Sequence, residues 1–156
     1  MPVNDNGQLS QEDFLKLISQ LESSGGKNLN HPAVQNGIQA GTTAAGQYGL
    51  MPNTIQELVN RQRLSGQATP AMRDIASEPP DQMKADVESN PDMENQLAGQ
   101  LATKVLGTTQ DPAMAAYAWH SGHNLQPQQI QQRDYMNDPY VQKFLKLKEM
   151  LGKPNE

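Results

Sequence analysis

The chain has 156 residues, of which 35% are hydrophobic and 4% aromatic; this length predicts one domain with a modest core, rich in alanine, leucine and methionine, and leaves too little for two. A net charge of −5 and a pI near 5.1 provide no basic stripe, which excludes nucleic acid as the main partner and any general attraction to anionic membranes. The absence of cysteine excludes disulfides and thiolate metal sites, and a mean hydropathy of −0.74 with no long apolar run predicts polar loops around a helical centre and no membrane insertion.

Residues 1–9 read as a flexible N-terminal arm, polar and without the apolar stretch of a secretory signal. A first helix is expected over 10–21: Ser10 with Asp13 forms a capping-box start, and Phe14, Leu17, Ile18 and Leu21 share one face. Gly25 and Gly26 are expected to stop it. Glu22 then falls in the last turn, beside the buried face and at the negative end of the helix dipole, and both effects predict a raised pKa. A carboxylic acid kept protonated near neutral pH is what glycosidic cleavage requires as general acid. A lone glutamate at a helix end is more often an ordinary exposed one; the residues downstream decide between the two.

Residues 23–48 show no helical period and are rich in glycine, asparagine, threonine and alanine, and a loop of this length is usually functional. It has room for a short β-hairpin, for which Val34 and Ile38 give weak strand signals. Between Glu22 and Glu57 there is no Asp or Glu, and Lys27 is the only fixed charge. A hydrolase with its second carboxylate on the loop after the acid cannot be built from this segment.

In the stretch Thr43-Ala44-Ala45-Gly46-Gln47-Tyr48-Gly49-Leu50-Met51-Pro52-Asn53-Thr54, small residues let the backbone approach a neighbour, Tyr48 offers a flat face with a polar tip, and Leu50 and Met51 point inward. A second helix is expected from 52–54 to about 64, burying Ile55, Leu58 and Val59. Residues 66–91 are broken by Pro70, Pro79, Pro80 and Pro91, with short helices expected near 71–76 and 81–87. The charge-rich segment 78–94 reads as a solvated face or a lid. Asn90-Pro91 starts a stronger helix to about 106, with Leu97, Leu101 and Val105 inward and Gly107 as its stop. Asp111-Pro112 starts an alanine-rich helix through Trp119 to Gly122. A last helix over 138–151 buries Tyr140, Val141, Phe144 and Leu151, and 153–156 form a C-terminal tail.

Taken together, these motifs resemble the soluble lytic transglycosylase family, relatives of goose-type lysozyme. The marks are a helix ending in Glu22-Ser23, a glycine-rich loop, Ala44-Ala45-Gly46 leading to Met51-Pro52-Asn53-Thr54, the Asn90-Pro91 segment, and Ala116-Tyr117-Ala118-Trp119-His120-Ser121-Gly122 where the family has Tyr-Asn-Ala-Gly. Tyr140-Val141-Gln142-Lys143 resembles the family's closing helix. Each motif alone is weak, but together, in this order and spacing, they are fairly specific. Two departures stand out: Gly49 sits where the family usually has a groove-lining glutamine, and Trp119-His120 replaces Tyr-Asn.

The resemblance implies a mainly α, lysozyme-like catalytic domain over 10–152 that cleaves the MurNAc–GlcNAc bond of peptidoglycan and leaves a 1,6-anhydromuramoyl product. It implies Glu22 as catalytic acid, and Ser23, Tyr48, Gly49, Tyr117, Trp119 and His120 as substrate-binding, with no cofactor and no metal. Partners would be glycan strands and other virion proteins. Without a signal peptide, a phage virion component or endolysin that reaches the periplasm or cell wall by another route fits best.

Three alternatives stand beside it. One is a hydrolytic muramidase whose water is held by Asp111 or Asp134; another is a non-catalytic wall-binding or virion module. The His120-x-x-His123 spacing with His31 suggests a metal site, but Gly122 interrupts the pair and no glutamate accompanies it. Trp119 on its alanine-rich helix is as readily core as platform, and Tyr48 as readily a loop anchor.

Overall fold

A computed structural model describes residues 9–28, 44–109 and 111–152, with side chains as far as Met150. The weak hairpin signals at Val34 and Ile38, the candidate ligand His31 and the side chain of Leu151 lie outside the described residues, as do 1–8 and 153–156. The described chain is mainly helical: α1 (Gln11–Ser23), α2 (Pro52–Leu64), α3 (Pro70–Ile75), α4 (Pro80–Glu88), α5 (Pro91–Thr109), α6 (Pro112–Ser121), α7 (Pro127–Gln131) and α8 (Pro139–Gly152), with a 3₁₀ turn at Tyr135–Asn137 before α8.

Proline is the punctuation of this chain. Each of α2 to α8 opens on one, at the position where the missing N–H would have had no helical partner and the fixed φ already suits the helix. Several of these prolines follow a capping side chain. Thr69 accepts the Met72 amide at 3.2 Å, Asn90 the Met93 amide at 3.2 Å, Asp111 the Ala113 amide at 2.9 Å and Asp138 the Tyr140 amide at 2.8 Å. Ser10 does the same for α1, accepting the Asp13 amide at 3.1 Å.

By packing, the chain divides into two compact units, with the divisions inside α1 and α5. The first unit holds the described parts of Met1–Leu21 and Leu101–Glu156. Its centre is Phe14, fully buried, with Trp119 edge-on at 5.8 Å and Phe144 tilted at 5.6 Å. Ala113, Ala115, Ala116 and Ala118 are buried and let α6 pack closely on α8. Leu9, read as the end of the arm, is buried as well.

The second unit is Glu22–Gln100. Here α2, α3 and α4 pack on one another through Ile55, Leu58, Val59, Met72, Ile75, Met83 and Val87, all buried, with Met93 and Leu97 of α5 also buried. Methionine fills the irregular gaps that such short helices leave.

The structure corrects several expectations. Helix α1 runs to Ser23, because the first left-handed residue is Ser24 (φ 53°), ahead of Gly25 (φ 74°) and Gly26 (φ 90°). Gly107 does not stop α5, which continues to Thr109. The Thr109 hydroxyl, which donates to the Val105 carbonyl at 2.8 Å, and the Asp111-Pro112 start beyond it mark the end instead. Tyr140 is only half-buried. Helix α7 and the 3₁₀ turn have no counterpart among the expected elements, since a polar run such as Gln126 to Gln132 carries little hydrophobic period; α7 is set by Pro127 and by the Gln129 side chain accepting the Gln126 amide at 2.8 Å. Among the described residues the only β pairing is an isolated antiparallel bridge, Ala45 with Leu50.

Candidate active site

Glu22 lies in the last turn of α1, half-buried. The chain leaves the helix through three residues of positive φ, and the buried Ser23 organises the exit. Its hydroxyl accepts the Gly26 amide at 2.9 Å, its carbonyl accepts the Asn28 amide at 2.9 Å, and the hydroxyl donates to the Gln47 carbonyl at 2.7 Å. The last bond ties the end of α1 to the turn 45–50.

That turn is closed by the Ala45–Leu50 pair, with N–H to O distances of 2.7 and 2.9 Å, and takes left-handed backbone at Gly46 (φ 72°) and Gly49 (φ 65°). Both glycines are also required by space. A Cβ on Gly49 would lie 2.4 Å from Oε1 of Glu22, so the α-carbon of Gly49 forms one wall against the Glu22 carboxyl. A Cβ on Gly46 would lie 1.9 Å from Oε2 of Glu94. Position 49 is therefore glycine for a local reason: a side chain there would enter the space of the Glu22 carboxyl.

Three consecutive amides of the turn point at two carboxylates. Gly46 N–H donates to Oε2 of Glu88 at 2.9 Å, Tyr48 N–H to Oε2 of Glu94 at 3.2 Å, and Gln47 N–H to Glu94 as well. Successive N–H groups converging in this way form an anion-binding concavity, here filled by the protein's own side chains. Glu94 is 4% exposed. Burial pushes its pKa up to about 7; the amides of Tyr48 and Gln47 pull the other way, and the charge of Glu88 adds to the rise. Glu88 is half-buried and lies 3.8 Å from Nζ of Lys84. The Tyr48 hydroxyl donates to Oδ1 of Asn95 at 3.1 Å, and its pKa is raised by burial first and by Glu94 second.

Glu94 corrects the reading of 78–94 as a solvated face or lid. The signal is present in the sequence: Glu94, Leu97, Ala98 and Leu101 follow helical spacing, and all are buried, so the glutamate sits on the inward stripe of α5. The loop after Glu22 carries no carboxylate of its own as far as Glu57, but carboxylates from α4 and α5 reach the turn from elsewhere in the chain.

The structure brings Glu22, Ser23, Tyr48 and Gly49 together in the second unit. Tyr117, Trp119 and His120 belong to the first. Tyr117 and Trp119 are buried there, at 8% and 9% exposure, and Trp119 takes its core alternative against Phe14. His120 is exposed and stacks on Tyr140 with ring centroids 4.2 Å apart. Desolvation of the ring lowers its pKa, against a smaller opposing pull from the Asp138 charge.

Nδ1 of His123 is 3.0 Å from Nζ of Lys104, a cationic neighbour unsuited to a metal ligand. Among the described residues no three His, Asp or Glu side chains are grouped as a metal would need. Asp111 caps α6 and accepts the Tyr135 hydroxyl at 3.3 Å, while both oxygens of Asp134 accept from Asn137, at 3.0 and 2.8 Å. A groove of about 560 Å³ along α2, lined by Asn53, Gln56, Glu57, Asn60 and Arg63 among others, contains none of the residues expected at the site. Among the described residues no helix is long and apolar enough to cross a membrane. No family model matches the chain, and neither does any curated protein or solved structure.

Proposed function

We propose that the chain is a peptidoglycan lytic transglycosylase with Glu22 as its acid and base. The observation that carries this is the convergence of the first two motifs: the helix-end Glu22-Ser23 and the glycine turn are joined by the Ser23–Gln47 hydrogen bond, with Gly49 against the Glu22 carboxyl. A half-buried carboxyl at a helix C-terminus, walled by a rigid turn, suits proton transfer to a glycosidic oxygen.

In the reaction Glu22 protonates the oxygen leaving the muramoyl anomeric carbon as that C–O bond breaks. The resulting carboxylate takes the proton from the muramoyl 6-hydroxyl, whose oxygen closes on the anomeric carbon. No water is consumed, and Glu22 regains its proton. An acceptor tethered within the substrate is present at high effective concentration, so no second carboxylate has to hold water. Glu94 does not take that part, because it is nearly enclosed and its oxygens face turn amides. A phage particle or endolysin is the setting we infer for such an enzyme, with glycan strands as its partner.

The test is the digest of purified sacculi. The wild-type chain should release 1,6-anhydromuropeptides, lighter by one water than reducing-end products, and Glu22→Gln should lose about 10²–10⁴-fold in turnover while still binding glycan. Reducing-end products would make the enzyme a muramidase with the same acid. A chain without turnover that binds glycan equally well with and without Glu22→Gln would leave only a wall-binding module.

A further inference from the structure

We infer that Glu94 is a positioning residue for the reaction of Glu22: by accepting the amides of Gln47 and Tyr48 it holds the turn so that Gly49 stays against the acid. This rests on the proposed role of Glu22. Several connections hold the turn besides its own closure, the Tyr48–Asn95 hydrogen bond among them. Ser23 holds the Gln47 carbonyl from α1, Glu88 holds the Gly46 amide from α4, and Glu94 holds the next two amides from α5.

Glu94 dominates for two physical reasons. It is the more enclosed carboxylate, so its bonds are not weakened by competition from water. It also fills the volume left by the missing Cβ of Gly46, so the turn cannot settle toward α5 or slide past it. The opposite end of the same four-residue turn is Gly49, the wall of Glu22. Displacement at one glycine is passed along a short, hydrogen-bonded backbone to the other, and proton transfer is sensitive to shifts on the order of 1 Å. The charged or titratable groups around Glu94 are Glu88, the Tyr48 hydroxyl and, paired to Glu88, Lys84. None of these is an amide donor that would substitute for the turn.

The experiment uses the full chain, soluble uncrosslinked glycan strands for kcat and KM, and an N-acetylglucosamine hexamer as binding probe. Glu94→Leu, which removes both acceptors, should lower kcat by about 10²-fold with KM and hexamer binding within about threefold, the cost of a misplaced catalytic group. Glu94→Gln, which keeps the shape and one acceptor, should recover part of that loss and remain about tenfold below wild type in kcat. Independently of activity, the backbone amide resonances of Gln47 and Tyr48 should shift in NMR spectra with one midpoint near pH 7, and this titration should vanish in Glu94→Gln.

A Glu94→Leu chain with full kcat overturns the inference, and so does parallel loss of kcat, hexamer binding and folding in both variants, which marks a merely structural residue. If Glu94→Leu does not fold, Glu94→Gln decides: a lowered kcat at unchanged KM together with the lost titration supports positioning, and wild-type kcat overturns it. Failure of the underlying reading looks different. Then Glu22→Gln keeps wild-type turnover, or the wild-type chain is inert on glycan, and the positioning role falls with it. Failure of the Glu94 inference alone leaves Glu22→Gln inactive beside a fully active Glu94→Leu.

Discussion

Around Phe14 three aromatic rings meet at centroid distances of 5.6 and 5.8 Å; around Gly46 three consecutive amides meet two carboxylates. Both places are buried, but they are held by opposite means. The aromatic cluster depends on area removed from water and on ring packing, forces with little direction. The turn buries Ala45 and Leu50 at its two ends, but between them its hold is polar. It depends on bonds whose donors and acceptors must coincide to a few tenths of an ångström, and on two positions with no Cβ. A region of the first kind should lose stability smoothly as volume is removed. One of the second kind should respond to single atoms, and should respond to pH.

The largest expected stability effect is in the aromatic cluster. Phe14→Ala should cost about 3–5 kcal/mol, as truncation of a buried phenylalanine does where the site cannot collapse. Trp119 is the only tryptophan of the chain and touches Phe14, so its fluorescence during urea unfolding reports this region directly. The cost should be the same at pH 5 and pH 8, since no ionisable group takes part in the cluster. A loss below about 1 kcal/mol, the range of an ordinary surface change, would mean that the rings are not what holds this region.

Gly46→Ala comes next and tests the turn with one methyl group. The added carbon meets Glu94 at 1.9 Å and must adopt φ near 72°. Left-handed backbone costs about 1–2 kcal/mol for an ordinary residue. Displacing the carboxylate weakens hydrogen bonds worth about 1.5–3 kcal/mol each where one partner is charged. A total of about 3 kcal/mol is expected, since the turn relaxes in part. Amide hydrogen exchange at Gln47 and Tyr48 should speed up with it. Unchanged exchange at those two amides would show that the turn is held without Glu94.

The same contrast explains what can be read from the sequence. Phe14, Leu17 and Ile18 announce a buried helix face by spacing alone, and Pro52, Pro91 and Pro112 announce helix starts by the chemistry of one residue. These are local signals, and they locate α1, α2, α5 and α6 to within a few residues. The place of Glu22 in the last turn of α1 is legible because a capping serine, a helix period and a pair of glycines lie within about four turns of helix. The partners of the turn are not: Glu88 and Glu94 are 42 and 46 residues from the amides they accept, and no local pattern encodes a pairing at that range. For Glu94 the sequence offers its place on the inward stripe of α5, outweighed by the acidic character of its surroundings. Trp119 falls to the core because alanines bring α6 close to α8, which leaves an indole beside them no open face.

The smallest effect is a change with pH, and its sign follows from Glu94. Its folded pKa of about 7 lies above the ordinary 4.5, so between those values the folded chain keeps a proton that the unfolded chain releases. Stability therefore falls as pH rises from about 4.5 toward 7 and levels off above it. For a pKa near 7 the loss attributable to Glu94 between pH 5 and pH 8 is about 2 kcal/mol, since a tenfold change in proton affinity corresponds to about 1.4 kcal/mol. Other groups titrate over the same range, so the quantity to measure is a double difference: urea unfolding of the wild type and of Glu94→Gln at pH 5 and at pH 8. A glutamine cannot release a proton, and the variant should gain about 2 kcal/mol on the wild type between the two pH values. A gap that does not change with pH would mean that the Gln47 and Tyr48 amides stabilise the carboxylate as much as burial penalises it. The turn would then be held by a permanent charge, and its sensitivity would lie in geometry alone.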